Sequence, residues 1–492
     1  MEFRRGIANL FRVTDVTLIR RKATRRSARR PMWRLAPVFL CVCSLLSFGC
    51  AVVGTGVYDV ASMTLSPLPE LSESQELILS EILTLDQAKQ IALENSPTVQ
   101  QALARISAAE ARIMEARSAY FPKLDAEGAA IRTHQSPDWQ TVGSERRTLY
   151  SNELSVSWVL FDGLARRARL QSARYGKLSN LAARENVCRL LLRGVVESYM
   201  GAQLADARIQ IASSDAEFNT VRLDESKKKE RAGSASRSEV LNFEIRVNQA
   251  LSDVVTARVS RELALATLAD LLGVPATGFC EVVRLEPLPS ESSAVPPISI
   301  EEEVEQALQN RPDLLVQRSA LEQSRLDVKA SRAEFLPKVV LQGSTGHQSI
   351  EDFSTSEEDR ATSYGVFAQW NLFSGGARLA RLRATQARTK EQEQLVEEMT
   401  LGIVAETRQV CSQILAASEQ VALTRHSLDL TEATRNLVEK EWQAGQASLT
   451  RLNEAQSDLI RAQSRFALTL IQQRQALENL RVVTAKDTSR DW

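Results

Sequence analysis

Histidines and cysteines are the residues of this chain best suited to metal binding or nucleophilic chemistry, and there are three of the first and six of the second. His134, His347 and His426 stand far apart, and none falls in an HExxH segment or beside paired metal ligands. The glycines of "FSGGAR" (Phe373 to Arg378) lack the GxxxxGK spacing of a phosphate loop, and no GxSxG elbow occurs. Cys188, Cys280 and Cys411 form an odd set without CxxC spacing, which is no disulfide scaffold. No catalytic, cofactor-binding or metal-binding residue is expected, and a catalytic function would need a site the sequence does not display.

Cys50 is the exception. The first 49 residues carry eleven Arg and Lys against Glu2 and Asp15, then run into the apolar stretch "LAPVFLCVCSLLSFGC" (Leu35 to Cys50). That stretch is too short to span a bilayer as a helix and has the size of a signal-peptide core. Residues 1–49 are therefore expected to be an export signal, with Met32 as an alternative start. Gly49-Cys50 resembles the end of a lipobox, after which the Cys50 thiol would be acylated in a bacterial lipoprotein. Because the whole chain has zero formal charge, the remainder carries the opposite of the leader's +9, which argues against nucleic acid as a partner. No later stretch reaches 18 apolar residues, so no transmembrane helix is predicted.

The elements that fill the rest come in two copies. A shift of 215 lays "LDQAKQIALENSPTV" (from Leu85) on "IEEEVEQALQNRPDL" (from Ile300) and "YFPK" (from Tyr120) on "FLPK" (from Phe335). A shift of 212 lays "WVLFDGLAR" (from Trp158) on "WNLFSGGAR" (from Trp370), and Ala232-Gly233 on Ala444-Gly445. The unit is far longer than a solenoid repeat.

Within each unit the hydrophobic period changes twice. The stretches from Leu85 to about Ala119 and from Ile300 to about Glu334 have helical composition, and Pro122 and Pro337 end them. Alternation follows: Leu154, Val156, Trp158 and Leu160 fall on one face of a strand, as do Tyr364, Val366, Ala368, Trp370 and Leu372 on its counterpart. The partner strands start at Lys123 and Lys338, giving two hairpins, about 123–161 and 338–373, whose strands are long enough to cross a bilayer when tilted. The repeated hexapeptide reads as a strand-to-helix switch, with Asp162 or Ser374 placed to cap the helix that starts at once.

From Gly163 to about Arg231 and from Gly375 to about Gln443 there is no proline, which predicts rods of about 100 Å at ~1.5 Å per residue. Gly233 and Gly445 let the chain turn back into helices of about Ser236–Leu272 and Thr450–Ala485. Val396, Ile403 and Val410, then Ile414, Val421 and Leu428, form a heptad seam with one four-residue step, the signature of lateral coiled-coil packing. Four strands cannot close a barrel, and lipid tolerates no open sheet edge, so strands in a membrane would have to be shared among several protomers.

These residues, in this order, resemble the TolC-type outer-membrane efflux family over nearly all of 84–485. The resemblance rests on the two-fold repeat, "YFPKL" and "FLPKV", "LFDGLAR" and "LFSGGAR", and the turns "AGSAS" and "AGQAS". It implies a mainly α chain contributing four strands, with 84–272 and 298–485 as the two repeats, 50–83 and 273–297 as linkers and 486–492 as a tail. Three copies would form one twelve-stranded barrel, continued by an α-helical tunnel through the periplasm. The partners implied are the homotrimer itself, outer-membrane lipid, a periplasmic adaptor and an inner-membrane RND or ABC transporter. The family docks a hairpin of the adaptor against its glycine turns, which maps here onto Ala232, Gly233, Ser234 and Ala444, Gly445, Gln446, and a periplasmic gate maps onto Glu239, Asn242, Arg451 and Glu454, with a Glu239–Arg451 latch as one form of it. Arg451 stands where the family commonly has an acid. The expected function is the passive exit duct of an efflux pump; the alternatives are the duct of a type I secretion system or, in another class, a periplasmic coiled-coil scaffold lipoprotein.

Overall fold

The computed structural model describes residues 82–135, 145–289, 297–350 and 357–486. The expected export signal, Cys50, all but the last two residues of the first linker and the tail beyond Lys486 lie outside them. The described chain runs β1 (Ile82–Leu83), α1 (Leu85–Asn95), α2 (Pro97–Ser118), β2 (Lys123–Gln135), β3 (Glu145–Phe161), α3 (Ala165–Arg231), α4 (Arg237–Leu272), α5 (Ala276–Val282), β4 (Arg284–Leu285), α6 (Ile300–Asn310), α7 (Pro312–Ala333), β5 (Lys338–Ile350), β6 (Arg360–Gln369), α8 (Ala377–Gln443) and α9 (Leu449–Val483).

The single helices expected from Leu85 and from Ile300 are each broken in two. Pro97 and Pro312 sit at the first position of α2 and α7, and the residue before each, Ser96 or Arg311, is extended (ψ 124° and 119°). Proline starts a helix well but pushes its predecessor out of helical conformation, so the chain bends at both places. The helices after the switches are the long rods expected, 67 residues each. Along α3 pack α4 and α2, and along α8 pack α9 and α7, so each rod is accompanied by two shorter helices. α7 and α9 also contact α3, which locks the two repeats together.

Much of the core lies where α1, α3, α4 and α5 meet, around Val195, Tyr199, Leu265, Leu268 and Phe279, all with at most 1% of their surface exposed. Here the second linker is built structure: β4 pairs in parallel with β1, Ile82 opposite Arg284. The Tyr199 hydroxyl donates to the Leu83 carbonyl (2.7 Å), and Gln203 Nε2 donates to the Glu286 carbonyl (2.7 Å). Burial pushes the Tyr199 phenol up to about 12, so it stays a neutral donor.

The two hairpins join into one antiparallel sheet of order β2-β3-β5-β6. β3 continues to Phe161 through a register shift after Val159. β6 stops at Gln369, four residues short of the predicted hairpin end, and Trp370 and Leu372 lie beyond the strand. Gln369 pairs with Lys338, the first residue of β5, and next comes Pro337, which has no N–H to continue the ladder.

Candidate functional site

The register sorts the sheet into two chemically distinct faces. Leu124 lies opposite Val156, Ala126 opposite Leu154 and Trp158 opposite Leu341, which in turn faces Val366. Side chains at paired positions share a face, so these residues make one apolar surface. Its large members are exposed: Leu124 by 65%, Val366 by 62% and Tyr364 by 88%. The other face pairs Asp125 with Ser155, Glu127 with Glu153 and Ser344 with Ser363. Two carboxylates directly opposite disfavour a sheet, so Glu127 and Glu153 need water on that side. Along this stretch one side suits lipid and the other suits solvent, and apolar pairs return to the second side at both ends of the sheet, Val340 opposite Phe367 and Ile131 opposite Leu149. Among the described residues β2 and β6 each pair on one side only, leaving two open edges.

Where the sheet meets the rods, the two copies use the same contacts. Trp158 Nε1 donates to the Tyr120 carbonyl (2.9 Å) and Trp370 Nε1 to the Phe335 carbonyl (3.0 Å). The Arg166 guanidinium lies 5.0 Å over the Tyr120 ring and that of Arg378 5.2 Å over Phe335. Arg166 donates to the carbonyls of Ala119 and Val159, and Arg378 to that of Glu334 (3.2 Å). The repeated Trp and Arg of the switch thus tie the end of one strand to the helix–strand bend before the partner strand. Capping differs between the copies. Asp162 accepts from the Arg166 N–H (3.0 Å) as expected, whereas Ser374 Oγ accepts from the Arg378 side chain (3.2 Å) and caps nothing.

At the far end the two turns are superimposable in pattern. Gly233 and Gly445 both take φ +75°, a conformation that strains any residue with a Cβ. The N–H of Ser234 donates to the Lys229 carbonyl (2.9 Å) and that of Gly233 to Glu230; Gln446 and Gly445 repeat this on Glu441 and Trp442. This double bond pattern is the Schellman termination. Ser236 and Ser448 then start the returning helices, each accepting an N–H (3.3 Å) from Glu239 and Arg451. Ala232, Gly233, Ser234, Ala444, Gly445 and Gln446 are all exposed.

The four residues singled out for a gate lie in the first turns past these caps. Among the described residues no ion pair joins Glu239 to Arg451 within the chain. Arg451 and Glu454 are exposed, and Asn242 accepts from Asn453 Nδ2 (2.9 Å), bridging α4 and α9. Asn453 was not foreseen, although it neighbours Glu454. Higher up, Gln456 Nε2 donates to Asp215 (2.7 Å) and Arg246 to Ser457 (3.1 Å). Arg222 pairs with Glu439 (2.5 Å) and lies over the rings of Phe218 and Trp442. These contacts hold the two helical hairpins together above the turns.

A second polar cluster sits midway. Arg311 binds Asp313 (2.6 Å) and Glu406, and Arg189 reaches Asp313 at 3.3 Å, so α3, α7 and α8 are joined through two carboxylates that share Arg311. Burial would raise Asp313, but the hydrogen bonds and charge of Arg311 outweigh it and hold the group below the usual carboxylate range. The sequence carried a faint signal: "NRPD" puts Arg311 and Asp313 where the first copy, "NSPT", has Ser96 and Thr98. Among the described residues no cluster of His, Cys, Asp and Glu could hold a metal ion, and no helix is long and apolar enough to cross a membrane.

A two-faced sheet with open edges, standing on doubled helical hairpins that end in twin turns, defines a channel subunit of the outer-membrane type. The profile of the family described as outer membrane efflux protein matches residues 88–274 and 304–486, and the chain belongs to that family. Its place is therefore the bacterial outer membrane, as a transport channel and not an enzyme. Protein CyaE of Bordetella pertussis is 28% identical over 398 residues, 80% of this chain and 82% of that protein. The alkaline protease secretion protein AprF of Pseudomonas aeruginosa is 26% identical over 381 residues, 75% and 77%. Among solved structures, the outer-membrane channel OprN superposes with a TM-score of 0.72 at 21% identity, over 85% of this chain and 92% of that one.

Proposed function

We propose that three copies of this chain pool their sheets into one closed twelve-stranded barrel and their rods into a periplasmic tunnel, forming the exit duct of a tripartite transport system. The observation that carries this is the pair of open edges on β2 and β6, which lipid does not tolerate and which one chain cannot cover. A stripe of exposed leucines along α8 (Leu401, Leu415, Leu423, Leu430, Leu437) supports it, because such a patch is expected to be covered in the assembly. Cys50 carries the lipid anchor, the turns at Gly233 and Gly445 receive the periplasmic adaptor, and Glu239, Asn242, Arg451 and Glu454 line the gate at the inner end. An inner-membrane RND or ABC transporter supplies the cargo. Heat-modifiable trimer bands in the outer-membrane fraction, and ion conduction by the purified trimer in a planar bilayer, test the duct. A folded monomer that stays in water after signal removal would favour the scaffold alternative and end this reading.

The cargo we assign first is small toxic compounds, so deleting the gene should raise sensitivity to detergents and dyes. Type I secretion is the second reading, favoured by the similarity to a protein named for alkaline protease secretion. Unchanged sensitivity together with a lost secreted protein would select it.

A further inference from the structure

The two turns share one backbone but not one charge. In the last turn of α3 stand Lys228, Lys229 and Arg231, with Lys227 just before; in the last turn of α8 the only basic residue is Lys440. Lys229 lies 4.3 Å over the Trp442 ring and Arg237 pairs with Glu230 at 3.6 Å. Among the described residues Lys227, Lys228 and Arg231 have no ion-pair partner, and the last two are exposed. At the second turn Glu439 is taken by Arg222 and Arg435, which leaves Lys440 against Glu441 and Arg451 against Glu454, a balance that the single Glu239 past the first cap does not give the first turn. Helix-dipole stabilisation does not account for the first cluster, because α8 has the same length and termination and manages with one lysine. The space beside Gly233 and Gly445 is open in both cases, so neither turn is shielded by its own chain.

We infer that the first turn selects its partner by charge: it receives the arm of the adaptor's helical hairpin that carries an acidic surface beside its tip, whereas the second turn docks through backbone shape alone. This rests on the docking-turn reading above. Unpaired cations of one sign at an accessible end speed and orient the approach of an acidic partner and lose that effect in salt.

The test places a photoreactive amino acid at 234 or at 446 in the full-length protein in cells, and maps the captured peptide. The charge-reversed chain Lys227→Glu, Lys228→Glu, Arg231→Glu is compared with Lys440→Glu, each checked for intact trimer. The expected result is capture at 234 of a hairpin peptide bearing carboxylates beside its tip. That capture falls about tenfold or more in the triple variant, while capture at 446 changes less than about twofold in Lys440→Glu. Undiminished capture at 234 in the triple variant, or a captured surface without carboxylates, overturns the inference and leaves the docking site standing. So does capture of a second copy of this chain at 234, or binding of purified trimer to phosphatidylglycerol vesicles that the triple variant loses while its protein capture persists. No hairpin captured at either position removes the docking reading together with the inference.

Discussion

The rods α3 and α8 have the same length, follow the same switch and end in the same turn, yet nineteen residues of α3 are buried against nine of α8. α3 is covered by α1, α2, α4, α7 and α9, whereas α8 touches α6, α7 and α9. Duplication preserved what the backbone needs at the two ends, and divergence went into what covers the middle. α3 is the internal support of the protomer, and α8 presents its leucines outward, where the neighbouring copy is expected to lie.

The sharpest way to break that contrast is to charge the outward stripe. Leu423→Asp with Leu430→Asp should abolish the trimer band while leaving the helical circular-dichroism signal of the protomer, since both side chains are more than half exposed in the single chain. Trimers surviving that double change would mean that α8 faces water and that the inequality of the rods has another cause. The converse change is Leu268→Ala in the core against α3, where the side chain is fully buried. It should lower stability by about 2–5 kcal/mol in denaturant titration, the range for emptying a packed leucine site. Leu430→Ala, tested on dissociated protomers, should stay within about 0.5 kcal/mol of wild type.

At the junctions the copies should respond alike. Trp158→Phe and Trp370→Phe each remove one indole N–H that donates to a backbone carbonyl. Each should cost about 0.5–1.5 kcal/mol, the net worth of such a bond, and the two should agree within the error of the titration. A loss at one position only would show that the repeated tryptophans have diverged in role as the rods have.

The repeat, the hairpins, the proline ends and the glycine turns were legible because each depends on local chemistry that the sequence states directly. Pro122, Pro337, Gly233 and Gly445 act within a few residues of themselves, and the alternation from Leu154 to Leu160 needs no partner to be seen. What stayed hidden depends on a neighbour. The bends at Ser96 and Arg311 stayed hidden because the composition is helical on both sides of Pro97 and Pro312, so one helix was expected where each proline, starting a helix of its own, pushes the residue before it out of helical conformation. Ser374 had the residue type of a cap but faces an arginine that competes for it. β6 was read too long because the proline that stops its ladder lies on the other strand, in β5's approach. The clusters around Asp313 and Asp215 join segments 124 and 241 residues apart; "NRPD" hints at the first, and neither spacing nor residue type announces the second.

Those two carboxylates give the finest comparison, because the structure drives them in opposite directions. Burial raises Asp215 above its usual range, only partly offset by the hydrogen bond from Gln456 and the charge of Arg246. Asp313 is also buried, but Arg311 and Arg189 take it below. A depressed folded-state pKa contributes stability that is present above the unfolded value and is lost as pH falls through the folded one. A raised pKa does the reverse: the folded state carries a penalty at neutral pH, relieved as pH falls through the raised value toward the unfolded one. Asp313→Asn should therefore destabilise at about pH 7, and less as pH falls below the unfolded carboxylate's value of about 4 and the wild type loses the contribution of its ionised carboxylate. Asp215→Asn keeps an oxygen for Gln456 and removes the penalty, so it should stabilise slightly at about pH 7, with the gain shrinking on acidification. Denaturation midpoints of both variants across that range measure the two slopes. Slopes of the same sign would show that the arginines of the middle cluster do not control Asp313, and that the locks between the two repeats are of one kind.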